Sequence, residues 1–491
     1  MRILLALLAA ATLLVAQPAM AAWSRASTPH FIIYSEEPPE KLKAFAEKLE
    51  RFDAAVRLVR GMKDPPVGDG NRLTVFVVKD LFQVEKLLNG ARNVAGFYKP
   101  RASGSIAVVP RSTKGGSIHP EVIFQHEYAH HLMFSDLDRP IPKWLGEGFA
   151  EFYSTANVEA DGSVGFGEAA THRRQAFSFK VAPAFPLSSL FEGEMRSGLD
   201  REAFYAKSWL LTHYLTFAPQ RRGQLDAYLA DVARGRSSLE AARIAFGDFK
   251  LLDSDLRDYL AKEKFPYLTL PASRFRPVAV QIETLGPGAA AAMPLYMRLQ
   301  ARTEGSPTDN AAEARALAAA HPNDALVMMT LAEAEWVAKN FKAAEAAADR
   351  AIALAPQSSE AMIWKGRALL SQAEAKAPGV TFANARGWFN RANRLDPENP
   401  EPLLYFYRTF QGSGGKPTAN ALAALHYAAE LAPQDFALRL ESARQHIAQG
   451  DVARARRMLV PVAYSPHGGR VSEDARRLLD TLEGRRAAVQ R

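Results

Sequence analysis

The 491-residue chain contains no cysteine. That absence excludes disulfide bridges, thiolate zinc sites, iron–sulfur clusters and a cysteine nucleophile together, so any metal must be held by His, Asp or Glu. Long apolar runs are missing after Ala16: even Ala289–Met293 is brief, far short of the ~20 residues a membrane span needs. There is no glycine repeat of the collagen kind. With 31 Gly, 30 Pro, 48% apolar and 23% charged residues, the composition is that of a globular protein. At about 100–200 residues per domain, the length implies roughly two to four domains.

The N-terminus has the three parts of a secretory signal peptide: basic Met1-Arg2, the apolar stretch Ile3–Ala16, and a small-residue end at Ala19-Met20-Ala21-Ala22. Cleavage is expected near Ala21–Ala22, with export to a bacterial periplasm. The formal charge is +8, and from Arg444 to Arg491 ten Arg face five acids, a local excess of five. This basic end could contact an anionic membrane surface, or it could be a solvated helix face. Nucleic acid is excluded as a partner, because no aromatic-basic module accompanies the charge.

Two periodicities divide the chain. His30–Ser35, Asn71–Lys79 and Gly104–Val109 alternate as strands, and Leu42–Arg60 is an amphipathic helix. Helical stretches follow at His119–Asp136, Lys143–Ser154, Asp200–Phe217, Arg222–Arg234 and Ser237–Phe246, an α+β order. Beyond a proline-rich break, prolines recur at 322, 356, 397, 433 and 466, close to the 34-residue tetratricopeptide period. Small residues at Ala332, Ala344, Ala351, Gly366, Ala385, Ala392, Ala421, Ala428, Ala443 and Ala455 fall where that repeat packs its helices. The expected divisions are a leader at 1–22, a catalytic domain at 23–264, a linker at 265–289, an all-α tetratricopeptide-like solenoid at 290–482 and a basic tail at 483–491. Such an array offers a groove for a protein partner or a peptide. Trp336, Trp364 and Trp388 could line that groove or belong to its core.

Phe124-Gln125-His126-Glu127-Tyr128-Ala129-His130-His131 contains His-Glu-x-x-His. On a helix, His126 and His130 are one turn apart on one face and can share a metal, with Glu127 beside it. His131 points about 100° away from His130 and is not a ligand. Neutral imidazole suits zinc, and a site with three protein ligands keeps a position for water. The third ligand must come from a neighbouring element. Glu147 lies seventeen positions after His130 in Trp144-Leu145-Gly146-Glu147-Gly148-Phe149-Ala150-Glu151-Phe152, and Glu151, one turn on, could ligate instead or support a ligating imidazole from behind.

HEYAHH followed by WLGEGFAEF resembles the gluzincin zinc peptidases, in particular the peptidase-MA-like group and its aminopeptidase-N-like relatives. The resemblance implies an α+β zincin-like catalytic domain with one Zn2+ held by His126, His130 and Glu147, and with Glu127 as general base. Phe204-Tyr205-Ala206-Lys207-Ser208 resembles the Tyr-x-Lys-Gly segment of those enzymes, which implies that Tyr205 donates to the oxyanion, although Ser208 replaces the family's Gly. His213, Tyr214 and Tyr98 are weaker candidates for that role. The gap from the second His to the Glu is slightly short, and no Gly-x-Met-Glu-Asn segment is present, so exopeptidase activity is not implied. The expectation is an exported zinc peptidase that cleaves a peptide or protein substrate and whose repeats bind a partner. The alternative is a catalytically silent domain on a periplasmic repeat scaffold.

Overall fold

The computed structural model describes residues 23–489 apart from 91–93, 114–118, 136–139, 179, 263, 303–304 and 466–468. The expected leader therefore lies outside the described residues. Among the described residues no helix is long and apolar enough to cross a membrane.

The N-terminal unit opens with β1 (Ser24–Ser27), β2 (Phe31–Ser35), α1 (Pro39–Arg60), β3 (Leu73–Val78), α2 (Leu81–Leu87), β4 (Phe97–Lys99) and β5 (Ile106–Pro110). It continues through α3 (Pro120–Ser135), α4 (Lys143–Ser154), β6 (Asn157–Val158) and β7 (Val164–Phe166). Three short helices, α5 (Arg174–Ser178), α6 (Val181–Ala184) and α7 (Leu187–Glu192), precede α8 (Gly198–Phe217). Then come α9 (Gln224–Ala233), α10 (Ser238–Phe246), α11 (Phe249–Leu260), β8 (Leu268–Leu270) and β9 (Gln281–Thr284). The main sheet runs β4-β5-β3-β2-β1-β9, parallel at β2–β3–β5 and antiparallel at its margins.

Successive strand residues point to opposite faces, so the alternation read in the sequence yields two different surfaces. Phe31, Ile33, Leu73, Val75, Ala107 and Val109 bury one face against α1 and α3. Tyr34, Phe76, Val78, Ile106 and Val108 bury the other.

The segment expected as a linker, 265–289, is corrected by the structure. Its β8 pairs with β7 in a second, three-stranded sheet, and its β9 pairs with β1 in register Ser24↔Thr284. An edge strand leaves unpaired N–H and C=O groups, and this alternating stretch satisfies those of β1.

The second half consists of helix hairpins: α12 (Pro287–Ala301) with α13 (Pro307–Ala320), α14 (Ala325–Val337) with α15 (Phe341–Leu354), and α16 (Ser359–Glu374) with α17 (Phe382–Leu395). α18 (Pro400–Gly412) with α19 (Ala419–Leu431) and α20 (Phe436–Ala448) with α21 (Val452–Ala463) follow, and α22 (Arg470–Val489) closes the array. The first helix of successive hairpins is capped by the side chain of Asp324, Ser358, Asn399 or Asp435, each satisfying a helix-start N–H. Ala332, Ala351, Ala385, Ala392, Ala421, Ala428, Ala443 and Ala455 are fully buried where helices cross. The second half is thus a tetratricopeptide-like solenoid. Residues 483–489, expected as a basic tail, continue α22.

The array docks back on the N-terminal unit. Met293, Tyr296, Met297 and Ala301 of α12 join the Tyr34/Phe76 face of the sheet. Farther along, Asp396 Oδ2 accepts the Gly70 N–H (2.8 Å), the Leu431 carbonyl accepts Asn71 Nδ2 (2.7 Å) and Asp435 Oδ2 accepts the Ala102 N–H (2.8 Å). Asp435 therefore caps α20 with one oxygen and holds the N-terminal unit with the other. Asp435→Ala removes both bonds. It should lower stability by about 2 kcal/mol, measured as an earlier midpoint in urea unfolding, whereas Asp309→Ala, which removes an acid from the exposed first turn of α13, should shift it far less.

Candidate metal centre

Helices α3 and α4 form the centre. α4 is buried along its length from Trp144 to Ser154, its two carboxylates Glu147 and Glu151 included. Trp144 anchors its start by donating Nε1–H to the Tyr228 hydroxyl at 2.8 Å. Gly148 lets α8 approach: a Cβ there would fall 2.2 Å from Thr212 Oγ1 and 2.6 Å from the Ser208 carbonyl. A side chain at that position would force α4 and α8 apart.

His126 and His130 lie one turn apart on α3, as the spacing requires, with ring centroids 4.9 Å apart. Glu147 Oε2 sits 3.5 Å from His126 Nε2 and 3.4 Å from His130 Nε2. One donor atom from each of the three residues falls within 4.8 Å of the others. Ligands about 2.0–2.1 Å from a tetrahedral zinc stand roughly 3.3 Å apart, so these separations and this donor set fit that ion. The site is deep: Glu147 and His130 are 1% exposed, and His126 is partly open.

Glu151 lies behind the imidazoles. Its Oε1 is 3.3 Å from His126 Nδ1, the nitrogen opposite the one facing Glu147. It also accepts from His172 Nε2 (2.8 Å) and from Arg173 Nη2 (2.6 Å) and Nε (3.1 Å). Burial opposes its charge, but Arg173, His126 and His172 outweigh burial and hold the carboxyl well below the usual range. Burial likewise opposes charge on His126, yet Glu147 and Glu151 push it up to about 10. Glu127 is pushed up by burial, against the pull of His126 and His130.

Tyr205 on α8 stands beside the centre, its ring centroid 6.2 Å from that of His126 and with the Arg173 guanidinium 5.0 Å over it. Burial, with Glu147 and Glu151 nearby, pushes its phenol well up, so it carries its proton. The weaker candidates have other partners. His213 bonds Tyr259 and the Gly167 carbonyl, Tyr214 bonds Asp255, and Tyr98 bonds His131 Nδ1 at 2.7 Å. Neither Arg173 nor His172 is singled out by the sequence motifs. Both come from a single turn at Thr171–Arg173, which carries no periodic signal.

A second cluster, His30, Glu50 and Asp53, also brings donor atoms within 4.8 Å, but its atoms are committed elsewhere. His30 bonds Glu50 through Nδ1 (2.7 Å) and Asp64 through Nε2 (2.9 Å), while Asp53 takes Arg57 and the Tyr128 hydroxyl. It is an ion network. Burial opposes charge on His30, but Glu50, Asp53 and Asp64 push it up to about 9.

Comparison with known proteins returns no matching family model and no matching curated protein. Among solved structures the chain is similar to a MamA RS-1 ArsTM double mutant (16% identity, 40% of this chain, 98% of that chain, TM-score 0.29). It is also similar to MamA 41-end from Desulfovibrio magneticus RS-1 (17%, 35%, 92%, 0.28) and to yeast Tom70 (12%, 74%, 82%, 0.26). These are tetratricopeptide-repeat proteins, and at such scores they carry no argument about activity. The gluzincin resemblance is corrected: no family model supports it, and the structures named here are repeat proteins rather than zinc peptidases. The zincin-like label for residues 23–264 falls with it, leaving a described α+β unit.

The His30 network carries a pH test. A histidine raised from 6.5 to about 9 stabilises the fold fully below pH 6.5 and loses that contribution as the pH rises through 9. Between pH 6.5 and 9.5 the parent should lose on the order of 2–3 kcal/mol of unfolding free energy that His30→Gln does not lose, read from urea unfolding at each pH.

Proposed function

We propose that the chain is a repeat-bearing scaffold for protein interaction whose N-terminal unit holds one zinc ion at His126, His130 and Glu147 and uses it to hydrolyse an amide or peptide bond. The observation that carries the metal reading is the triangle of two imidazole Nε2 atoms and one Glu147 oxygen, with separations of 3.4 and 3.5 Å to that oxygen. The solenoid itself supports the scaffold part, since a repeat array gives an extended surface and no chemistry of its own.

Bound there, zinc supplies Lewis acidity toward water and a carbonyl. The chain's residues supply the rest. Glu127 neighbours the ligands and is pushed up by burial, so it can take a proton from the attacking water and return it to the leaving amine. Glu151 orients the His126 ring through Nδ1 and is itself fixed by His172 and Arg173, the kind of support that ligating imidazoles require. Tyr205, protonated and beside His126, is placed to donate toward developing negative charge.

A second reading, in which the metal is structural and the protein only binds partners, is favoured by the depth of the cluster, whose Glu147 and His130 are almost wholly enclosed. Export to the periplasm belongs to the proposal as well, and N-terminal sequencing of protein secreted by a bacterial host should find cleavage near Ala21–Ala22.

Two measurements test the centre. Elemental mass spectrometry should find about one zinc per chain in the parent and in Glu127→Gln, and none in His130→Ala; no zinc in the reconstituted parent overturns the metal reading. Digestion of a denatured protein or mixed peptide library should fall about 10²–10⁴-fold in Glu127→Gln. Zinc present with no cleavage by the parent selects the second reading. For the supporting residues, Glu151→Gln should weaken zinc affinity about 10–100-fold, read by competition with a chromogenic chelator.

A further inference from the structure

A cavity of about 680 Å3 lies between the sheet and the first helices of the repeat hairpins, within the usual size of a small-molecule site. It is separate from the metal centre. Ile32, Tyr34, Thr74 and Ile106 line it, and in these strands the alternate residues Phe31, Ile33, Val75 and Ala107 face α1 and α3. The sheet itself therefore stands between the two sites.

The cavity's two walls differ in charge. Arg25 and Arg72 stand on the sheet wall. Arg72 is nine-tenths buried and uses its terminal nitrogens on Ser27, the Thr28 carbonyl and Asp69, and Arg25 lies 3.7 Å from Glu283. The Nε–H of each is buried and has no acceptor among the described residues, and a buried donor without an acceptor is a costly arrangement that a ligand can relieve.

The opposite wall belongs to α14, α16 and α18. There Arg367, 4% exposed, is sandwiched 4.2 and 4.0 Å from Trp336 and Trp364 and donates to Glu401 at 3.2 Å, so this pair is internally balanced. Glu333, 6% exposed, and Glu360 also line that wall, where Arg302 stands near Glu333 and no guanidinium of the wall is bonded to Glu360 among the described residues. Glu333 accepts from the neutral Gln300 amide at 2.8 Å. Burial, with Glu333 and Glu401 close by, pushes Glu360 up to about 7 against the weaker opposing pull of Trp364 and Arg25. Tyr34, Tyr296 and Trp364 supply aromatic surface suited both to an apolar side chain and to an ammonium.

We propose that this cavity binds a small zwitterion of the α-amino-acid or dipeptide class, its carboxylate held by Arg25 and Arg72 and its ammonium by Glu333 and Glu360. A dianion would meet Glu333 and Glu360 and a dication would meet Arg25 and Arg72, so a ligand with one pole of each sign suits both walls. The inference stands independently of the metal reading, because it uses none of the residues of that centre.

The test is calorimetric titration of the full mature chain with L-alanine, with dialanine, and with dialanine capped either as N-acetyl or as C-terminal amide. One or both uncapped zwitterions should bind, which identifies the source, and each cap should weaken binding about tenfold or more, since each removes a charge-assisted hydrogen bond. Arg25→Gln and Glu360→Gln, both at half-buried positions, should each weaken binding to the same degree with unfolding midpoints unchanged. Glu333→Gln provides a third variant should either of these misfold. No heat with either zwitterion, equal affinity for a capped form, or binding that survives both Arg25→Gln and Glu360→Gln overturns the proposal.

Discussion

A strand buried on both faces must find two unlike sets of neighbours, and the architecture follows from how β2, β3 and β5 meet that demand. Phe31, Ile33, Leu73, Val75, Ala107 and Val109 need an apolar cover on one side, and α1 and α3 give it with Leu42, Phe52, Phe124 and Tyr128. Tyr34, Phe76, Val78, Ile106 and Val108 need another, and α2 and α12 provide it with Val84, Leu87, Met293 and Tyr296. Since α12 is the first helix of the repeat array, that second cover cannot form without the start of the array. The first repeat helix is therefore part of the N-terminal core.

The first cover explains the position of the polar cluster. α3 must turn Phe124 and Tyr128 toward the sheet, which leaves His126 and His130 on the side facing α4. There Glu147 and Glu151 are held almost wholly out of water. Removing carboxylates from solvent costs several kcal/mol each unless partners replace the lost hydration, and apolar residues of similar size would serve stability as well or better. Two imidazoles, Arg173 and His172 supply the partners here. An arrangement this expensive in solvation is poorly explained by packing alone, and a divalent cation would replace the missing hydration most directly.

The parts of this that were legible in the sequence are the parts written in short periods. Two histidines four apart had to share a helix face, strand alternation marked β2, β3 and β5, and the proline rhythm with buried alanines marked the hairpins. Contacts closed by loops and single turns were not legible. His172 and Arg173 reach Glu151 from a three-residue turn, and Gly70 meets Asp396 across 326 positions. Neither leaves a pattern in composition or spacing. Likewise Gln281–Thr284 alternates as a strand should, but only the unpaired edge of β1 shows why a proline-rich stretch becomes β9. The family resemblance failed for a related reason. It rested on about 27 residues, His126–Phe152, and a short ligand motif records local geometry without specifying the fold around it.

The way the array is fastened bears on what it can offer a partner. Its bonds to loops 68–72 and 101–105 are polar and directional: Asp396 to the Gly70 N–H, Asn71 to the Leu431 carbonyl, Gln434 to Ser105 and Asp435 to the Ala102 N–H. The accepting or donating groups sit in the turns that join one hairpin to the next, where each repeat presents its helix-start side chains. A free solenoid keeps those groups, and the first helices beside them, for a ligand. Here several are already engaged by the chain's own backbone, and the helices above them close over the sheet to form the charged cavity. The inner surface of the array thus faces the N-terminal unit over part of its length, and a protein partner of ordinary size must engage the array on surface outside that contact.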